Sequence, residues 1–312
     1  MAEPAVSASG LTRHFGDVRA VDHLSFTIGQ GELFGVVGPD GAGKTTTFRM
    51  LAGVLPPSSG DAEIGGVSVV QDPEGVKRHI AYMSQRFGLY ADLTVRENID
   101  FYADLFLVPK KERSTRLERL YAFSSLGPFE QRLAGQLSGG MKQKLGLCCA
   151  LIHEPEIMLL DEPTFGVDPI SRRDLWLILH EMVADGITVV VATAYLDEAE
   201  RCDRVALLHQ GSLIALDAPR VFQQRLAGHV HTVRTDAPRR ASHLLRDHDA
   251  VRQAVLFGDV VHLTLDNPVT DWPRARAALE AEGIVITDDG PAEPSLEDVF
   301  IDLVTSGKSD GD

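Results

Sequence analysis

The segment GPDGAGKTT, residues 38–46, lies between the apolar run LFGVV and the helical stretch TTTFRMLAGV, and it constrains the chain more than any other feature. A glycine-rich spacing that ends in Lys-Thr, after a strand and before a helix, is the context in which backbone N–H groups and a helix N-terminus wrap phosphates. In this reading Gly38, Pro39, Asp40, Gly41, Ala42, Gly43 and Thr46 shape the cradle. Lys44 reaches the outer phosphates, and the Thr45 hydroxyl is placed on magnesium. A side chain at Gly43 is expected to occupy phosphate space. A dinucleotide fingerprint fits poorly, because the glycine pattern fails at Thr46.

A phosphate site also needs a carboxylate for the metal. IMLLDEP places Asp161 at the end of an apolar strand, where it can hold magnesium directly or through water. Glu162 beside it could orient or deprotonate the water that attacks a γ-phosphate. Taken alone, such a pair can equally end a strand and begin a turn at Pro163. Lys44 and Thr45 upstream favour the catalytic reading.

From Leu11 to about Leu226 short apolar runs alternate with helical patterns, the rhythm of an α/β domain on a largely parallel sheet. LFGVV and IMLLD are almost uninterruptedly apolar, as central strands covered on both faces are. VALLH and SLIAL, joined by Gln210-Gly211, suggest an edge hairpin. Between about 94 and 154 the strand rhythm gives way to an inserted helical lobe. Residues 227–305 then read β-α-β-β-α-β, a small α+β domain with its last strand at IVIT and its second helix from Asp271 to Glu282. Residues 1–10 and 306–312 are expected to be flexible tails.

Composition narrows the function classes. The chain has 45 acidic and 30 basic residues, a net charge of −15, which disfavours a broad nucleic-acid surface but not one focused nucleotide pocket. Cys148, Cys149 and Cys202 lack metal-ligand spacing and make no disulfide framework, so a reducing compartment is the simpler reading. MAEPAVSASG lacks the features of a signal peptide. The most apolar long stretch, ITVVVATAYL, is well short of the roughly 18 residues that cross a bilayer. The chain is expected to be cytoplasmic, with any membrane role borrowed from a partner.

LSGGMKQ, residues 137–143, resembles the signature sequence of ABC transporter ATPases, and its place after the phosphate loop and before LLDEP is that of the family. The resemblance implies a P-loop ABC ATPase domain with a mixed sheet and an inserted helical lobe over 11–226, using ATP and Mg2+. Ser138, Gly139 and Gly140 form a second anion cradle at a helix start, although in isolation Ser138 is equally an ordinary N-cap before a glycine turn. The family uses that cradle on the nucleotide of the opposite subunit in a head-to-tail dimer. By the same resemblance Phe15 stacks on adenine, Gln85 touches magnesium or attacking water, and Asp168 lies at the dimer seam.

Two positions depart from the family pattern. Asp40 stands where Asn is usual, and it is expected to point away from phosphate and satisfy the loop backbone. Ala194 stands where a histidine usually follows the fourth core strand, which lowers the expected hydrolysis rate at the chain's own pocket; neither the adjacent Tyr195 nor His209 on another strand is expected to replace it. Phe87, Leu89, Tyr90 and Leu93 could form an apolar groove for the coupling helices of a permease, or simply pack locally. PSLEDVFIDLVT resembles the ending of ATP-binding subunits in the bacterial drug-exporter branch. The resemblance thus implies a peripheral ATPase on the cytoplasmic face of the inner membrane, a homodimer or heterodimer, paired with a separately encoded permease that exports drugs or other amphipathic compounds. The competing class is a non-transport ABC ATPase acting as a mechanical module on a macromolecular partner; the chain lacks the coiled-coil or zinc insertions and the second ATPase domain usual there.

Overall fold

Apolar runs that cannot leave any side chain in water become the central strands of a computed structural model that describes residues 3–85 and 88–306. In chain order, β1 (Val6–Phe15) and β2 (Val18–Ile28) precede β3 (Leu33–Val37), which enters α1 (Lys44–Leu51) through the loop 38–43. Next come β4 (Ser59–Ile64), β5 (Val67–Ser68), α2 (Pro73–Val76) and β6 (Ile80–Met83). Helices α3 (Val95–Leu105), α4 (Lys110–Ser124) and α5 (Gly139–Leu151) follow with no strand between them, two 3-10 turns at Gly127–Phe129 and Ala134–Gln136 lying between α4 and α5. They are followed by β7 (Ile157–Asp161), α6 (Pro169–Ala184), β8 (Thr188–Thr193), α7 (Leu196–Ala199), β9 (Arg204–His209), β10 (Ser212–Asp217) and α8 (Pro219–Arg225).

Two sheets share the first core. One has the order β10-β9-β3-β8-β7-β6, parallel from β9 to β6, with β10 added at the edge by the two-residue turn Gln210-Gly211. The other, β2-β1-β4-β5, is antiparallel. Every residue of β3, β7 and β8 is buried. Phe34, Phe48, Leu159 and Val190 meet Leu11, Leu24 and Ile28 from the antiparallel layer in one apolar cluster. The strands bearing the phosphate loop and the acidic pair, β3 and β7, are thereby held with only β8 between them.

The expected tail at residues 1–10 is corrected. β1 starts at Val6, pairing Val6 with Ile28 on one side and Ile64 on the other. VSASG reads weakly because Ser7 and Ser9 alternate with small apolar residues, yet a strand between two neighbours gains hydrogen bonds on both edges. The expected tail at 306–312 lies outside the described residues except for Ser306, where the last helix ends. The three cysteines are buried and form no disulfide, and burial pushes the Cys148 thiol up to about 12.

Among the described residues, 196–201 and 217–306 form a second unit. Its strands β11 (Val230–Thr235), β12 (Gln253–Phe257), β13 (Val260–Thr264) and β14 (Ile286–Pro291) alternate with α9 (Pro238–Arg246) and α10 (Pro268–Ala281) as β-α-β-β-α-β, and α11 (Leu296–Ser306) follows. The order β12-β13-β11-β14 is antiparallel throughout. Val233, Leu245, Val261, Leu263, Trp272 and Leu279 form its core. The final strand runs through ITDDGP rather than IVIT: it is an edge strand that pairs with β11 on one side, where Asp288 is exposed and the half-buried Asp289 faces His231 and Arg276, so polarity there costs little. The second helix begins three residues before Asp271, where the Asn267 side chain accepts from the Val269 N–H.

Candidate functional site

Loop 38–43 turns sharply between β3 and α1, and the glycines allow it for different reasons. Gly41 and Gly43 adopt φ values of 79° and 101°, which side chains rarely tolerate. A Cβ on Gly38 would lie 2.3 Å from the Leu208 carbonyl oxygen. At Gly43 a second constraint stands beside the expected one: its Cβ would strike the Ala20 carbonyl oxygen of β2, at 2.6 Å, so protein packing also constrains this position directly. Lys44 opens α1 only 5% exposed, and its ammonium donates to the carbonyls of Gly38 at 2.8 Å and Pro39 at 3.1 Å.

Two strands away, Asp161 ends β7 and is 1% exposed. One carboxylate oxygen accepts from the Thr45 hydroxyl at 3.1 Å and the other from the Tyr82 hydroxyl at 3.4 Å. Burial pushes the Asp161 carboxyl above its usual range and the Tyr82 phenol up to about 12. Glu162 leaves the strand at φ 52°, a left-handed conformation that a glutamate adopts at a cost, with its backbone N–H donating to the Ala192 carbonyl at 2.9 Å. That turn aims its carboxylate back across the site. One oxygen lies 3.5 Å from the Lys44 ammonium, and the other accepts from Gln85 Nε2 at 2.9 Å.

Lys44, Thr45, Gln85 and Glu162 border a cleft of about 750 Å³, with Asp161 behind Thr45. Asp40, Gly41, Ala42, Gly43, Lys44, Thr45 and Thr46 line one wall, Gln85 and Glu162 another, and Phe15 stands at the far end. Asp40 is exposed on that wall, and among the described residues its carboxylate takes no hydrogen bond from the loop backbone, contrary to the satisfying role expected of it. Val18, Arg19, Phe165 and Gln210 also line the cleft, and Tyr82 braces Asp161; the sequence reading singled out none of them. Tyr82 was within reach as a polar tip on a strand leading to Gln85. Gln210 sits at φ 49° in a turn whose place beside the loop depends on strand order.

The remaining positions lie apart. Among the described residues lining the cleft, Ser138, Gly139, Gly140 and Asp168 do not occur. Ser138 caps α5, accepting from the Met141 N–H at 3.3 Å. A Cβ on Gly140 would fall 2.3 Å from the Ser171 Cβ, so this glycine lets α5 approach α6 closely. Asp168 caps α6 through the Ile170 and Ser171 N–H groups, and hydrogen bonding by the Ser171 side chain holds its carboxyl below the ordinary value. Ala194 is half-buried just past β8, whose Thr193 carbonyl accepts from the Gly38 N–H at 3.4 Å. The adjacent Tyr195 ring is stacked with the Arg172 guanidinium, 4.7 Å from the centroid, and His209 lies on β9.

Of the expected groove, Phe87 lies outside the described residues. Leu89 and Leu93 are half-buried, and Tyr90 is exposed with its ring 4.6 Å from that of Phe101. Asn98, fully buried on α3, holds this loop by accepting from the Tyr90 N–H and donating to the carbonyls of Tyr90, Leu93 and Thr94. Among the described residues no helix is long and apolar enough to cross a membrane.

Residues 21–165 match the family model described as ABC transporter. The probable multidrug ABC transporter ATP-binding protein YbhF of Escherichia coli K12 is 43% identical over 309 residues, 97% of this chain and 53% of that protein, so the chain spans about half its length. The daunorubicin resistance ATP-binding protein DrrA2 of Streptomyces coeruleorubidus is 33% identical over 96% of this chain and 94% of its own. Among solved structures, an ATP-binding subunit of an ABC transporter aligns at 28% identity with a TM-score of 0.64, covering 71% of this chain and 92% of that one. The dimeric post-hydrolysis structure of the ATP-binding cassette MJ0796 with ADP and Pi aligns at 25% identity and TM-score 0.61, covering 68% and 98%.

Proposed function

This chain belongs to the family of ABC transporter ATP-binding proteins, and on that premise we propose that it binds and hydrolyses ATP to drive export of drugs or other amphipathic compounds through a separately encoded permease. The observation that carries the reading is the convergence of Lys44, Thr45, Glu162 and Gln85 on one cleft, with Asp161 bonded to Thr45 beside it, from segments far apart in sequence. Export is favoured over a mechanical role on another macromolecule because the similar chains include a multidrug transporter protein and Nod factor export proteins.

In this reading the loop N–H groups and Lys44 bind the β- and γ-phosphates, while Phe15 takes the base. The oxygen donors Thr45, Asp161 and Gln85 fit a hard divalent cation: Asp161 is a buried carboxylate met by two hydroxyls, and a cation would favour its charged form. Bound there, Mg2+ would neutralise phosphate charge as it develops. Glu162 accepts a proton from, or orients, the attacking water, and Gln85 fixes the carboxylate that does so. Phosphate competes with Glu162 for the Lys44 ammonium, so nucleotide entry frees the carboxylate for water.

Ser138 to Gly140 and Asp168 would act on the nucleotide of a second ATPase domain, in a homodimer or heterodimer, because they do not share the cleft of their own chain. The assembly would lie on the cytoplasmic face of the bacterial inner membrane, with Leu89, Tyr90 and Leu93 toward the permease. The test is co-purification with the membrane partner, followed by measurement of which amphipathic compounds stimulate ATP turnover. A purified complex whose turnover answers to no transported compound, but to a ribosome or DNA, would overturn the transport reading.

A further inference from the structure

Arg13 lies on β1 two residues before Phe15, and its guanidinium sits over the Phe15 ring, 4.8 Å from the centroid. Its role is not ion pairing. Among the described residues no carboxylate pairs with it, one terminal nitrogen donates to the Pro56 carbonyl at 2.7 Å, and its Nε is buried without a partner. Nor does it reach the phosphates, since Phe15 lines the cleft and Arg13 does not. The guanidinium thus covers one face of a ring that lines the cleft, while Arg13 itself stays out of the lining.

Phe15 needs such a support. It ends β1 at the tight turn through Gly16, is 47% exposed, and its direct partner across the hairpin is Val18. A ring in that position is free to rotate between side-chain wells, and a stacked base would have to immobilise it on binding. The bond to Pro56 anchors the guanidinium to the segment that leads into β4, and the cation over the aromatic face holds the ring flat against it.

We propose that Arg13 is a positioning residue for the nucleobase: it backs the Phe15 ring from outside the cleft and presets it for stacking. This rests on the ATP-binding reading above and assigns a residue that touches neither base nor phosphate. Because Pro56 is reached at the surface, its carbonyl can turn to water when Arg13 is replaced, and the β1–β2 pairing does not depend on the guanidinium.

The experiment measures equilibrium binding of ATP and of inorganic tripolyphosphate, each with magnesium, to the full chain and to Arg13→Met, Arg13→Lys, Phe15→Ala and the double variant Arg13→Met/Phe15→Ala. Arg13→Met is expected to weaken ATP about 2- to 5-fold, to leave tripolyphosphate unchanged, and to have no further effect once Phe15 is alanine. Arg13→Lys should recover part of the loss, because the charge returns without the planar fork. The proposal is overturned by unchanged ATP affinity in Arg13→Met, by an equal loss for tripolyphosphate, or by a loss that persists in the Phe15→Ala background. A wild-type chain that binds neither probe would overturn the ATP-binding reading itself, which separates that failure from a failure of Arg13 alone.

Discussion

Replacing Glu162 by Gln should slow turnover and at the same time tighten ATP binding, two effects that the position of Lys44 ties together. The Glu162 carboxylate lies 3.5 Å from the Lys44 ammonium, and the two side chains are mostly buried. Their Coulomb attraction amounts to about 5 kcal/mol at an effective dielectric of about 20, much of it offset by the hydration both groups forgo. About 1–2 kcal/mol of net attraction is a reasonable remainder, and a triphosphate must displace it to claim the lysine. Glutamine keeps the shape and still meets Gln85, but it neither holds Lys44 as a counter-charge nor repels phosphate. ATP affinity should therefore rise by about 5- to 30-fold. Turnover should fall at least ~10²-fold, because the amide cannot accept the proton of the attacking water. Fluorescent-nucleotide titration gives the first quantity and phosphate release by the assembled transporter the second. Weaker ATP binding in Glu162→Gln would refute the competition, and wild-type turnover would remove Glu162 from the chemistry.

Ser138→Arg should leave ATP binding by the monomer nearly unchanged, cost about 1 kcal/mol of stability through the lost helix cap, and prevent ATP-dependent dimerisation; light scattering with a non-hydrolysable nucleotide decides it, and an unchanged dimer fraction speaks against the trans role. Ala194→His should raise turnover of the complex with its native permease while leaving ATP affinity alone, since imidazole can hydrogen-bond to the γ-phosphate where a methyl cannot; fast wild-type hydrolysis with no gain would show that Ala194 is no deficiency. Asn98→Ala leaves the Tyr90 N–H without its partner, while the Tyr90 and Leu93 carbonyls keep backbone donors from Leu93 and Ala134, and urea unfolding should show a loss of about 1–3 kcal/mol. For Asp298, burial works to raise the carboxyl, but hydrogen bonds with His262 and Ser295 outweigh it and hold the folded value below the unfolded one. That carboxylate stabilises the fold above the unfolded value of about 3.9, and the contribution disappears as pH falls through the folded value; the stability gap between wild type and Asp298→Asn should close in acid, and a gap independent of pH would exclude this origin.

The features legible in the sequence are those whose physics is local. GPDGAGKTT announces a phosphate loop because turn glycines, a lysine and a helix start are consecutive, and IMLLD announces a buried strand because no face of it is polar. Ser138 could be read as a helix cap from its neighbours alone, and it is one. Contacts that join distant segments could not be read this way. The Thr45–Asp161 bond spans 116 residues and the Gln85–Glu162 bond 77, and each exists because β3, β8, β7 and β6 stack in that order. Packing of the antiparallel layer on the parallel one brings Ala20 against Gly43, while helix packing sets Ser171 against Gly140 and adds a reason for glycine at each that has nothing to do with phosphate. Val6 belongs to a strand because Ile28 and Ile64 supply partners on both edges, which no pattern within VSASG reveals. The sequence by itself determined which groups of the ATPase unit could do chemistry; the tertiary structure decided which of them meet, because a hydrogen bond a few ångströms long depends on a register that only the packed sheet defines.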